Sequence, residues 1–198
     1  MAAAGASSDG DGPDIFAAAL KGDLAAVKAR ISDRDSRTDK GFSPLALAVS
    51  AGHTDVVRVL LREGVDVDAA DDGGVTALMH AAMHGYALTV DLLLLHGACA
   101  TLQRNDGITA IGLAALYGRP SALGSFFRAN RELVAARDGM GRTAMHWAVL
   151  SRHPMTVKYL IGCWEAEIDA ADLLGDTPAH LCEGPLDLLG TLYHGGPA

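Results

Sequence analysis

A beat of about 33 residues constrains this chain more than anything else in it. A glycine, any residue, then Ser or Thr ahead of a short apolar stretch recurs five times. The copies are Gly41-Phe42-Ser43-Pro44-Leu45, Gly74-Val75-Thr76-Ala77-Leu78, Gly107-Ile108-Thr109-Ala110-Ile111, Gly141-Arg142-Thr143-Ala144-Met145 and Gly175-Asp176-Thr177-Pro178-Ala179. The hydroxyl positions 43, 76, 109, 143 and 177 lie 33, 33, 34 and 34 residues apart. Such a period marks stacked units, each too small to bury its apolar side alone.

Each unit reads as two helices. The Ser or Thr is placed to cap the first, with its oxygen accepting from an orphan N–H. Pro44 and Pro178 then sit at the first helical position, where a missing N–H costs nothing. Gly52, Gly85 and Gly118 end that helix nine residues after the hydroxyl, where glycine permits the left-handed turn. A second helix starts two residues on, opened by Pro120 and Pro154 in two units. Its apolar set (Val56, Val57, Leu60 and Leu61; then Val90, Leu93 and Leu94) has the spacing of one buried helical face. Gly64 and Gly97 end it. Asn130 matches them, and the spacing predicts a left-handed Asn there; Trp164 falls at the same place in the next unit. Arg152 stands where the other units have the inter-helix glycine, at a cost of roughly 1–2 kcal/mol if left-handed. Residues 150–170 are therefore expected to be the least stable part of the array.

The beat extends to both ends. Gly22 aligns with Gly52, and Ala26, Val27 and Ile31 supply the second helix of a terminal unit. A last unit begins at Thr177, is broken by Gly184-Pro185, and leaves Leu186 to Tyr193 for a short closing helix. The expected division is a tail over 1–12, an array over 13–194 in units of 13–37, 38–70, 71–103, 104–137, 138–171 and 172–194, and a tail over 195–198. Read so, the solenoid is nearly complete.

Composition excludes several function classes. A formal charge of −8 makes bulk attraction to nucleic acid or an anionic membrane unfavourable. The dense apolar run Leu92 to Leu95 stops at His96, far short of a span, so no membrane insertion is expected. The first residues have neither basic nor apolar segment of a secretory signal. Three scattered cysteines (Cys99, Cys163 and Cys182) suit a reducing compartment rather than a disulfide framework. The expected location is cytoplasmic, with the nucleus as the alternative.

No catalytic constellation emerges. His80 and His84 lie one helical turn apart, a spacing that can bind metal, but Ala81 stands where a metalloprotease motif needs Glu. His80 fills a slot held elsewhere by Leu47, Leu113, Trp147 and Leu181, which favours a packed side chain. His180 and Cys182, two apart, point to different faces of a helix, and Cys182 falls in the small-residue slot of Ala48, Ala81, Ala114 and Ala148. No phosphate-binding glycine loop is present. No cofactor is expected, and no enzyme.

With Asp138-x-x-Gly141-x-Thr143-Ala144-Met145-His146-Trp147-Ala148, Asp172-x-x-Gly175-x-Thr177-Pro178-Ala179-His180, Gly52-His53 and Leu60-Leu61-x-x-Gly64, the chain resembles the ankyrin-repeat family, whose core reads Thr-Pro-Leu-His-x-Ala. The resemblance covers roughly residues 13–193. It implies an all-α solenoid of about six stacked helix-turn-helix units with projecting hairpin-like loops and atypical caps. It departs from the pattern where Ala46, Met79 and Gly112 replace the family's buried His.

The resemblance also implies a binding face made of loop tips and the exposed side of the first helices. Three ladders run along it: Ser50, Met83, Leu116 and Leu150; Ala51, His84, Tyr117 and Ser151; Phe42, Val75, Ile108, Arg142 and Asp176. Met140, Leu173 and Leu174 add to the tips. The expected partner-binding residues are Phe42, Val75, Met83, His84, Ile108, Leu116, Tyr117 and Met140. Leu116 and Leu150 could equally be covered by neighbouring helices. Exposed apolar surface of this kind marks a partner site, and Asp39, Asp72 and Asp106 are placed to steer basic flanks. The expectation is a monomeric, non-enzymatic protein-interaction module or adaptor. The rival readings are a regulatory inhibitor or subunit of an enzyme such as a protein kinase, and an accessory domain of a larger enzyme.

Overall fold

Residues 14–182 are described by the computed structural model. They form ten α-helices in five antiparallel pairs: α1 Ile15–Lys21 with α2 Leu24–Ala29, α3 Pro44–Ser50 with α4 Thr54–Arg62, α5 Ala77–His84 with α6 Ala87–Leu95, α7 Ala110–Leu116 with α8 Pro120–Ala129, and α9 Ala144–Leu150 with α10 Pro154–Trp164. The odd-numbered helices stack in one row and the even-numbered helices in a second row behind it. The expected all-α solenoid is what the chain forms.

The hydroxyls cap as their positions require. Ser43 accepts from the Ala46 N–H, Thr76 from Met79 and Thr109 from Gly112, each from an extended backbone that turns the chain into the helix. The first helices are built on alanine: Ala18, Ala19, Ala48, Ala81, Ala82, Ala114, Ala115 and Ala148 are fully buried. Side chains this small let neighbouring helices approach closely at no rotamer cost. The bulkier filling comes from both rows: Leu45, Leu78, Ile111 and Met145 from the first, and Leu60, Leu93, Phe126, Phe127 and Leu160 from the second.

The inter-helix glycines answer two demands at once. Gly22, Gly52, Gly85 and Gly118 all have φ between 63 and 78°. In three units the residue after the left-handed position (Gly52, Gly118 or Arg152) bonds back to the unit before. His53 Nε2 meets the Leu20 carbonyl at 3.0 Å, the Arg119 guanidinium donates to Met83 O at 3.0 Å, and His153 Nε2 meets Leu116 O at 2.9 Å. A Cβ on Gly22, Gly85 or Gly118 would stand 2.5–2.8 Å from those same side chains. Arg152 does adopt the left-handed conformation, at φ 57°.

Two details of the second-helix ends differ from expectation. Asn130 is extended (φ −151°, ψ 114°), because its side chain caps a 3₁₀ turn over Arg131–Ala135 by accepting from Glu132 N–H at 2.9 Å. Trp164 remains helical, and the left-handed residue is Glu165, at φ 53°. The extra residue of this 34-residue unit has gone into α10. Thr177 to Leu181 form a turn rather than a helix, and Cys182 is half-buried rather than enclosed like the alanines it aligns with. The expected closing helix and both tails lie outside the described residues.

Candidate partner-binding face

Five hairpins join the units, and each is locked by one backbone bond across its base. Thr38 N–H donates to Phe42 O, Asp71 to Val75, Arg104 to Ile108, Asp138 to Arg142 and Asp172 to Asp176, all at 2.8–3.0 Å. Inside the turn, one carboxylate oxygen accepts two backbone N–H groups: Asp71 from Gly73 and Val75, Asp138 from Met140 and Arg142, and Asp172 from Leu174 and Asp176. Asp and Asn stabilise turns by this mechanism. Thr38 substitutes a hydroxyl, accepting from Phe42 N–H. Arg104 cannot accept, so Asp106 takes over and receives the Ile108 N–H at 3.3 Å.

The hairpins are also bonded to one another. Asp72 N–H donates to Lys40 O, Asn105 to Gly73 O, Gly139 to Gly107 O and Leu173 to Met140 O, at 2.9–3.2 Å. This ladder of backbone bonds fixes tip against tip, so side chains far apart in sequence stand in register. Gly41, Gly74 and Gly141 each have the next tip's backbone within 3.0–3.1 Å of where a Cβ would be.

The structure brings most of the expected residues to this face and removes one. Tyr117 and Met140 are 44% and 40% exposed. His84 is exposed; its Nδ1 lies 2.9 Å from His80 O and its ring stacks on Tyr86 at 5.3 Å. Phe42 is half-buried, 6.4 Å from the His80 ring. Val75, Met83 and Leu116 are half-buried, leaning on the core. Ile108 is only 8% exposed, so it is core and not surface. The reason lies at Gly112: with no side chain there, the Ile108 methyl and the Trp147 ring close in, 3.1 Å from where a Cβ would be. Leu150, left open between core and surface by the sequence, is exposed, as are Leu173 and Leu174 at the last tip.

Charge on the face is uneven. Asp39 and Asp72 are exposed. Asp106 is held by a two-pronged pair from the Arg104 guanidinium, whose hydrogen bond keeps the carboxyl below its ordinary value and the guanidinium above its own. That pair neutralises one of the three expected steering charges. His80 is pushed below its ordinary value by burial, against a smaller pull from Asp71. His80 is half-buried, and among the described residues no group of three or more His, Cys, Asp or Glu could hold a metal.

The sequence reading missed a polar cluster at the last two hairpins. Trp147 Nε1–H donates to Asp138 Oδ2 at 2.7 Å. The Arg142 guanidinium lies over the Trp147 ring, 5.3 Å from its centroid, and donates to Asp172 Oδ2 at 3.1 Å. Burial works to raise the Asp172 carboxyl, but the bonds from Arg142, Asp176 and Leu174 outweigh it and hold the group below its usual range. The only sequence signal was the Asp three residues ahead of Gly141 and Gly175.

Among the described residues, no helix is long and apolar enough to cross a membrane. The family model for ankyrin repeats in three copies matches residues 15–104 and 89–172. No curated protein matches. The chain is similar to a chain in the solved complex of the predatory endopeptidase Bd0816 from Bdellovibrio bacteriovorus with immunity protein Bd3460. The identity is 26% and the TM-score 0.72, covering 86% of this chain and 91% of that one. Solved chains that match number 522, so likeness to any one of them speaks for the fold and selects no partner. With its helix pairs, its hairpin ladder and a family match spanning most of its length, this chain belongs to the ankyrin-repeat family.

Proposed function

We propose that this protein is a non-enzymatic binding module, without cofactor, that holds a partner protein across its hairpin tips and the exposed ends of its first helices. The observation that carries this is the register of the hairpin ladder. It holds the tip residues Phe42, Val75 and Met140 in register, while the ends of the stacked first helices carry Met83, His84, Leu116 and Tyr117; a surface built in advance supports this reading, since little ordering entropy is lost on binding. Met and Tyr suit such a surface, the first by adaptability and the second by joining an apolar ring to a polar tip. Exposed Asp39 and Asp72 steer basic flanks of the partner toward the N-terminal half. The three cysteines are free, which fits a reducing compartment such as the cytoplasm or nucleus.

The test compares wild-type protein with F42A/M83A/Y117A as bait in a native lysate. Partners retained by the first and lost by the second are the expected result. An identical set captured by both would sink the reading.

A second reading has one observation behind it: the similar solved chain comes from a complex of an endopeptidase with an immunity protein. On this reading the partner is an enzyme, a peptidase or a protein kinase, and the module restrains it. The captured enzyme should then lose activity on stoichiometric addition of this protein. A captured enzyme that keeps its full rate would leave the adaptor reading standing and remove the inhibitor.

A further inference from the structure

The second row of helices has an outward side of its own, and α6 breaks the pattern there. Leu88 and Leu95 are 79% and 81% exposed, the two most exposed of the large apolar side chains described. The adjoining units put Asp55 and Ser121 where α6 has Leu88, and Arg62 and Arg128 where it has Leu95. Leu88, Leu92 and Leu95 are spaced by four and then three, the spacing of a seam that receives a second helix. Leu92 is half-buried and leans on the core. Leu88 and Leu95 are too exposed to serve the core, and apolar surface of this kind marks a partner site.

We propose that the stripe Leu88-Leu92-Leu95 is a second docking surface, and that its occupant is an amphipathic helix of a partner protein with acidic residues beside its apolar seam. Charge selects that occupant. On the helices of this row the exposed charged residues are Lys28, Arg58, Arg62, Arg128 and Lys158 against Asp55 and Asp91. This is a cationic excess on a chain of net charge −8. α4 and α8 flank α6, so Arg58 and Arg62 stand to one side of the stripe and Arg128 to the other. Arg128 lies 3.8 Å from Asp91. Among the described residues Arg58 and Arg62 pair with no carboxylate. A cleft of about 230 Å³, lined by Gly52, Thr54, Tyr86, Ala87, Leu88 and Thr89, opens beside Leu88 and can take an apolar side chain from the visitor.

Other occupants fit less well. A second copy would bring the same excess of cations against this one, and like charges repel. An anionic bilayer suits the arginines, but it is flat and would press on Asp55 and Asp91 as well, while the apolar strip is one helix wide. A helix can lie along that strip with carboxylates reaching the arginines on both sides. α6 has nine residues, so the contact covers about 13–14 Å of the partner helix, and the binding is weak and salt-sensitive. The stripe lies on the row behind the hairpin tips and first helices, so it does not depend on the reading above.

The probes are two synthetic helical peptides with leucines at the same four-and-three spacing, one with Glu beside the seam and one with Lys. Titrated into the isotope-labelled full chain, the Glu peptide is expected to move amide signals of α4, α6 and α8. The Lys peptide should bind at least about tenfold more weakly. L88S/L95S should weaken the Glu peptide at least about tenfold, since burying one leucine is worth about that factor. R58E/R62E should turn the preference toward the Lys peptide. All of these side chains are exposed, and unmoved amide signals elsewhere verify the fold. Should a variant fail that check, the two peptides on the wild type decide. Failure of both to bind, equal affinities, or shifts confined to the hairpin tips overturns the proposal. So does co-sedimentation with phosphatidylserine vesicles that L88S/L95S abolishes, which assigns the stripe to a lipid surface. A wild-type dimer in sedimentation that L88S/L95S dissolves assigns it to a second copy, and overturns the proposal too. None of these measurements involves the partner sought with the F42A/M83A/Y117A bait.

Discussion

Glycines of identical conformation differ in what surrounds them, and substitution should separate them. Gly118 and Gly97 are both left-handed, at φ 63° and 88°. A Cβ on Gly118 would stand 2.7 Å from the His153 ring, whereas on Gly97 it would meet nothing within 4 Å. G97A is expected to lose roughly 1–2 kcal/mol, the left-handed cost alone. G118A should lose at least about 1 kcal/mol more, because the ring must leave the Leu116 carbonyl. Urea melts of the two variants check the ranking, and equal losses would contradict the close-approach argument. Trp147 offers a second case. W147F removes the donor to buried Asp138 and should cost about 1–3 kcal/mol, measurable in the same melts.

At the scale of the element, α10 is the helix under most strain. Both of its ends are turned by residues with a side chain in the left-handed region, Arg152 and Glu165, each at roughly 1–2 kcal/mol. α6, bounded by Gly85 and Gly97, carries no such cost. Amides of α10 are therefore expected to exchange faster than those of α6 at one pH, and equal protection would refute this. Glu165→Gly should partly reverse the difference. The pair it gives up, with Arg131 at 3.2 Å, is largely exposed and worth about 0–1 kcal/mol. A thermal melt of the variant at or above the wild type is the expected outcome. The hairpins are elements of the opposite kind, held three ways by a base bond, an Asp carboxylate or the Thr38 hydroxyl, and the neighbouring tip.

For the whole molecule, buried His146 and half-buried His80 contribute to the response to acid. His80 and His146 both sit below their ordinary value of 6.5 in the folded state. The unfolded chain therefore binds protons first as pH falls through about 6.5, and stability declines from there downward. Asp106 and Asp172 are held below the ordinary carboxylate value, so their stabilising share persists until much lower pH. The melting temperature is expected to be lower at pH 5.5 than at 7.5. H80L/H146Q, which places in the first slot the leucine other units use, should flatten that dependence. A wild-type melting temperature unchanged between the two conditions would contradict the lowered values of both rings in the folded state.

The period of the hydroxyls, the caps they make, the left-handed turns at Gly52, Gly85 and Gly118 and the stacking of helix pairs could all be read from the sequence, because each depends on a few neighbours along the chain. What the sequence could not settle was whether a side chain at a given rung of the ladder faces solvent. Ile108 occupies the same rung as Phe42 and Val75 yet is core, since the space it fills is opened by Gly112 and closed by Trp147 from the next unit. Asp106 reads as a free charge until Arg104 folds onto it. The links among His146, Asp176, Arg142 and Asp172 span 30 residues each, and no local rule predicts them. Period and caps are properties of one unit; exposure and charge belong to the contact between units, and only stacking decides those.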